Sequence, residues 1–148
     1  MTAGSAACAN STAFTAIRNF KKGPDMIGYT TIGVNHMERA KTFYTDLFAD
    51  KGAKVVVDMG RIAFIGTQRG EPMLAVCEPF DKEAPNAGNG GMIAFVASDK
   101  AEAETLYHKA ISLGATCDGE PGQRIPDRFY GAYVRDLDGN KICFFVFG

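Results

Sequence analysis

Tyr29-Thr-Thr-Ile-Gly-Val-Asn35 and Met92-Ile-Ala-Phe-Val-Ala-Ser98 are the two stretches whose comparison decides the fold. A shift of 63 positions lays one over the other and carries Ala40, Phe43, Tyr44, Leu47 and Phe48 onto Ala103, Leu106, Tyr107, Ala110 and Ile111. One deletion later, Gly52-Ala53 falls on Gly114-Ala115. Few letters are identical, so the order of residue types carries the repeat. An extended apolar run is followed by a polar cap, a helix with one apolar face, and Gly-Ala. A duplicated half-domain builds one cavity from two similar walls, and function is to be sought there.

Local signals fill in the rest. Asn35 followed by Glu38 reads as a capping box. The 3–4 spacing of Met37, Ala40, Phe43, Tyr44, Leu47 and Phe48 predicts an amphipathic helix ending before Gly52. Ser98-Asp99 caps a second helix whose face is Ala103, Leu106, Tyr107, Ala110, Ile111 and Leu113. Strands are expected at 54–58, 61–66 and 72–78, with a tight turn at Asp58-Met-Gly60. A turn-rich linker runs from Pro79 to Gly90. After the second helix, strands are expected at 115–118, 129–135 and 141–147, the last two joined through Asp138-Gly-Asn140. Each half reads β-α-β-β-β. The expected fold is α+β, with tandem βαβββ modules forming a curled, mixed and mostly antiparallel sheet around a central cavity. Residues 1–25 are read as an appended arm in which Phe14, Ile17 and Phe20 could dock a short helix. Residues 26–148 are read as one domain of two halves, 26–80 and 90–148.

Bulk properties narrow the function. A 148-residue chain with 46% hydrophobic residues suits one domain with a proper core. Its net charge of −1 gives no reason to expect nucleic acid or an anionic membrane as partner. No apolar run reaches the roughly 18–20 residues of a membrane span, and the first 25 lack the pattern of a secretory signal. The four cysteines (Cys8, Cys77, Cys117 and Cys143) contain no CxxC pair, which fits reduced thiols in a cytoplasm.

Two segments carry a family resemblance: Ile32-Gly-Val-Asn-His-Met-Glu-Arg-Ala40 running into Phe43-Tyr44, and the closing Arg135-Asp-Leu-Asp-Gly-Asn-Lys141. Together, at the two ends of a duplicated βαβββ chain, they resemble the vicinal oxygen chelate superfamily, the glyoxalase/bleomycin-resistance/dioxygenase proteins. The resemblance covers about residues 26–148. It implies homodimers and, in metal-dependent members, a His opening the first strand of a half and a Glu or His in its last strand. Here those positions hold Tyr29, Met92 and Cys143, and Met73-Leu-Ala-Val-Cys77 offers neither carboxylate nor imidazole. A divalent ion wants three or four converging N, O or S donors. No metal and no other cofactor is therefore expected.

Other candidates reduce to plainer roles. His36 and His108 lie at helix positions away from the cavity strands and read as surface imidazoles. Glu78 reads as a rim charge. Cys143 has no nearby base for nucleophilic work. The Asp136-x-Asp138-Gly segment resembles the start of a calcium loop, but position 147 is Phe where a Glu is required. Strand alternation turns Tyr29 and Met92 toward the cavity. Phe129, Tyr133 and Cys143 share its wall, Arg124 and Arg128 stand at its mouth, and Arg61 is a further candidate. Arg can hold a carboxylate or phosphate in a fork and aromatics give a flat wall. The expected ligand is a small aromatic or amphipathic compound, with an anionic one favoured by the rim. The expected function is small-molecule binding of bleomycin-resistance type; the catalytic residues, if any, are not legible. The alternatives are a metal-dependent glyoxalase-like lyase, isomerase or extradiol dioxygenase, and a partner-binding protein with a sealed cavity.

Overall fold

A computed structural model describes residues 26–68 and 70–148; the arm read at 1–25 lies outside the described residues. The first half contains β1 (Tyr29–Gly33), α1 (Met37–Leu47), β2 (Lys54–Asp58), β3 (Ile62–Gly66) and β4 (Met73–Cys77). The second contains β5 (Ile93–Val96), α2 (Lys100–Ser112), β6 (Thr116–Ile125), β7 (Phe129–Arg135) and β8 (Lys141–Phe147). The strands form two separate four-stranded sheets, β1-β4-β3-β2 and β5-β8-β7-β6. The repeat is thus preserved in topology. In each sheet the first strand of the half runs parallel to the last, and the remaining ladders are antiparallel. The architecture is the expected α+β one, but β1 and β5 do not join the sheets into one.

Each helix buries its apolar face on its own sheet, and the two layers share one core. Phe43, Tyr44 and Leu47 of α1 meet Ile32, Val34, Ile65, Leu74 and Val76 there. Leu106, Tyr107 and Ala110 of α2 meet Ala132, Val134, Ile142 and Phe144. Aromatic contact crosses between the halves: the Phe48 ring lies 4.6 Å from that of Phe95 and 6.3 Å from that of Phe144. Ile111, read as part of the α2 face, is instead 36% exposed.

Polar bonds clamp the halves at one end. The Asp136 carboxylate accepts from the Tyr44 hydroxyl at 2.5 Å and from the Asn140 amide at 3.1 Å. It also accepts from the backbone N–H groups of Asp138 and Asn140, both at 2.9 Å. Asn140 in turn donates to the carbonyl of Gly33, and Asp138 accepts from Asn35 and Arg39. This clamp overturns the capping-box reading. Both the backbone and side-chain N–H groups of Asn35 are committed to Asp138 Oδ1, so α1 starts from His36 with no side-chain cap. Glu38 pairs with Lys41 instead. The second helix is capped as read: Asp99 accepts from Glu102 N–H at 2.7 Å, while Glu102 accepts from Ser98 N–H.

The largest departure is β6. It runs ten residues to Ile125, where a strand of four and then a loop were expected. Its Thr-Cys-Asp-Gly-Glu-Pro-Gly-Gln-Arg-Ile sequence lacks alternation because β6 is an edge strand, paired on one side only, through three register shifts. An edge strand tolerates Pro121 for the same reason. Arg124 consequently sits on a strand, not in a loop.

Candidate functional site

The helix-free faces of the two sheets differ. In the first sheet the register aligns Tyr29 with Met73, and Thr31 with Ala75, Phe64 and Val57. Phe64, Met73, Ala75 and Val57 are all buried in a small cluster of their own. Tyr29 packs edge-to-face on Phe64, with centroids 5.0 Å apart. The Met73 side chain covers Gly66, and Pro85 from the linker covers Gly33 so closely that a Cβ on either glycine would stand 2.8 Å away. Much of this face is covered by the chain's own side chains, with Tyr29 45% exposed at its edge strand.

The second sheet leaves its helix-free face open. The ladders set three rows across it: Ile125–Phe129–Phe147, Gly122–Gly131–Phe145–Val96 and Gly119–Tyr133–Cys143–Ala94. Alternation sends Ile142 and Phe144 into the core and Cys143, Phe145 and Phe147 to this side. Phe129 and Phe145 stack in parallel at 5.5 Å, and Phe147 packs edge-on to both. Phe147 remains 75% exposed and Val96 64%. Beside the rings stands Tyr133, with the Arg124 guanidinium 5.3 Å and the Lys141 ammonium 5.2 Å from its ring centre. Cys143 beneath is fully buried. Burial pushes its thiol up, against the pull of the Tyr133 hydroxyl, Lys141 and Arg124, so it stays protonated at neutral pH and is a poor nucleophile. Asp118 is held below the usual carboxylate range, chiefly by its hydrogen bond with Lys141 and by the charge of Arg135.

Phe129, Tyr133, Cys143 and Arg124, named from the sequence, therefore share one face. Arg128 is exposed in the turn between β6 and β7. Tyr29 belongs to the other sheet, 45% exposed on its helix-free face. Met92, 43% exposed, precedes β5 and lines a separate groove between the halves. That groove, about 620 Å³, also touches Phe48, Ile65, Leu74 and Phe95. Arg61 is turned away: it donates to the Glu78 carbonyl and lies over the Phe80 ring. His36 and His108 are exposed, as is Glu78. Sequence reading missed Lys141, Phe145, Phe147 and the glycines of the middle row. Continuing the alternation from Cys143 in both directions would have found Lys141 and the two phenylalanines. The glycines required the register.

The donors at the positions where the resemblance puts metal ligands are a phenol, a thioether and a buried, protonated thiol. Tyr29 and Cys143 moreover lie on different sheets. Among the described residues no group of three His, Cys, Asp or Glu side chains comes together. This set does not fit a divalent transition metal.

Two clamped βαβββ halves, each with one helix-covered and one helix-free sheet face, define the vicinal-oxygen-chelate class of fold. The model of the Glyoxalase/Bleomycin resistance protein/Dioxygenase superfamily matches residues 26–144, and the chain belongs to that family. Among solved structures it is similar to a glyoxalase/bleomycin resistance protein from Albidiferax ferrireducens T118, at 30% identity and a TM-score of 0.72, covering 82% of this chain and 98% of that one. It also shares its fold with lactoylglutathione lyase from Agrobacterium tumefaciens, at 24% identity and a TM-score of 0.60 over 84% and 95% of the two chains. TioX from Micromonospora sp. ML1 is alike in fold at 18% identity and a TM-score of 0.60, over 82% and 98%. No curated protein matches the chain. No helix among the described residues is long and apolar enough to cross a membrane.

Proposed function

We propose that this protein binds a small aromatic or amphipathic molecule in the manner of the bleomycin-resistance branch of its family, without the family metal. The observation that carries this reading is the contrast between the two helix-free faces. On one, Val57, Phe64, Met73 and Ala75 are buried among themselves with Tyr29 packed on Phe64, while the other presents stacked phenylalanine rings, Tyr133 and Arg124 to solvent. Exposed aromatic surface of this kind, rimmed by charge, marks a binding face. A homodimer is part of the proposal, because a second copy laid over Phe147 and Val96 would enclose a ligand against the second sheet; closed two-fold pairing is the commonest symmetry. The free thiols Cys77, Cys117 and Cys143 accord with a cytoplasmic setting.

One sample tests this. Protein purified without chelator is expected to sediment as a dimer at micromolar concentration and to hold far less than one equivalent of Zn, Ni, Mn or Fe by elemental analysis. A monomer mass would remove the enclosed site. Close to one metal per chain would restore the metal-dependent lyase or dioxygenase reading.

A further inference from the structure

The groove of about 620 Å³ between the halves runs along β5, and its walls are mostly apolar: Phe48, Ile65 and Leu74 from the first half, Met92 and Phe95 from the second. Lys51 is the only charged lining side chain among the described residues, and it is tied to Glu102 at 3.0 Å. The groove therefore asks for an apolar occupant.

The strand beside it is unguarded. The outer edges of the two sheets are blunted against stray pairing. β2 has a register shift between Val55 and Val57 and ends on Lys54 and Asp58, and β6 has three shifts, Pro121 and several charges. β5 is an inner edge that pairs with β8 without a shift, and Met92-Ile-Ala-Phe-Val-Ala97 has neither charge nor proline. Met92 is 43% exposed and Val96 64%. Native proteins protect so apolar an edge by laying a helix or loop over it.

The chain carries a segment of that kind at the right place. Ile27 lines the groove and is 56% exposed, so the residues before it are tethered at the groove's mouth. In their sequence Ser11 is a helix-capping residue and Gly23-Pro24 a stop signal. Between them Ala13, Phe14, Ala16, Ile17 and Phe20 keep the spacing of one apolar face, with Thr15, Arg18, Asn19 and Lys22 opposite. A helix over residues 12–22 is about 16 Å long, and the four residues of β5 span about 13 Å. The stretch from Phe20 to Ile27 reaches at most about 25 Å. We propose that residues 12–22 form a helix laid along β5, seating Phe14, Ile17 and Phe20 on Phe48, Met92 and Phe95. The groove is then reserved for the chain itself, and the open face of the second sheet is left for a ligand.

Hydrogen peroxide oxidation of the full chain, followed by peptide mass spectrometry, tests this. Met59, in the turn between β2 and β3, is 41% exposed and serves as the internal reference for Met92 at 43%. Oxidation follows exposure, so under the proposed helix Met92 should react about fivefold or more slower than Met59, at every protein concentration used. Phe14→Ser, Ile17→Ser and Phe20→Ser together, which change no residue of the two halves, should bring the two rates into line. Phe20→Ser alone should do so in part. Equal rates in the unaltered chain overturn the proposal. So does slow oxidation of Met92 that survives the triple substitution, or that fades on dilution, the latter assigning the cover to a second copy.

Discussion

Asp136→Ala is expected to lower the stability of the chain by about 3–5 kcal/mol. The carboxylate is 6% exposed and receives four hydrogen bonds: the Tyr44 hydroxyl, the Asn140 amide and the N–H groups of Asp138 and Asn140. Alanine leaves those donors facing a void. It also loosens the β7–β8 turn, from which Asn140 reaches the Gly33 carbonyl of the other half. The melting temperature should fall by about 10 °C, at the few degrees per kcal/mol usual for a chain of this size. Asp136→Asn, which keeps the shape and an acceptor, should cost less than half as much. The same contact has a pH signature. Burial, reinforced by the facing Asp136 charge, pushes the Tyr44 hydroxyl well above its ordinary value. The folded chain then holds that proton more tightly than the unfolded one. This contribution is fully present below about pH 10 and is lost as pH rises beyond it. Denaturant titrations of the wild type and Tyr44→Phe at pH 8 and above 10 would check the sign: the wild type should lose stability relative to the variant at the higher pH. An Asp136→Ala variant as stable as the wild type would show that the clamp does not hold the halves together.

Phe144→Ala should be at least as damaging, at about 3–5 kcal/mol. Phe144 is fully buried on β8, with Phe48 at 6.3 Å and Phe95 at 6.5 Å between ring centres. It thus joins the core of the second half to the end of α1 and to β5. Truncation opens a cavity between two rigid layers that cannot collapse into it. The adjacent Phe145→Ala is the informative control. Its ring stacks on Phe129 over the open face, so its removal should cost little stability and chiefly affect ligand binding. Chemical denaturation of the pair measures the difference. Similar losses for both would mean that alternation along β8 has been assigned to the wrong faces.

That alternation was legible in the sequence, and it explains how far sequence reading went. Ile32 and Val34, and in the repeat Ala97 with the partly buried Phe95, lie under the helices where the period of two places them. The helices follow from their 3–4 spacing, and β7 and β8 have the limits expected, because turn residues bracket strongly apolar runs. Failures came where a residue's role depends on a distant partner. Asn35 has the local signature of a cap, yet Asp138, remote in sequence, takes its hydrogen bonds. Tyr29 has the parity of a cavity residue and does lie on the helix-free face of its sheet, 45% exposed, but there it packs edge-on to Phe64 and lies on a different sheet from Phe129, Tyr133 and Cys143. The β6 edge, with two glycines, a proline and charged side chains, carries no alternating hydrophobic signal. The open face was half visible: Phe129, Tyr133, Cys143 and Arg124 could be named, whereas the cross-pairing of Gly131 with Gly122 beside them required the register.

The central claim is that ligand binds on the helix-free face of the second sheet and needs no metal. Amide chemical shifts of chelator-treated protein, followed during titration with 2-naphthoate, test it directly. The expected result is a set of saturable shifts centred on Gly122, Phe129, Gly131, Tyr133 and Cys143. Shifts confined to the groove around Phe48, Met92 and Phe95, or saturable binding that appears only when a divalent metal is restored, would contradict it.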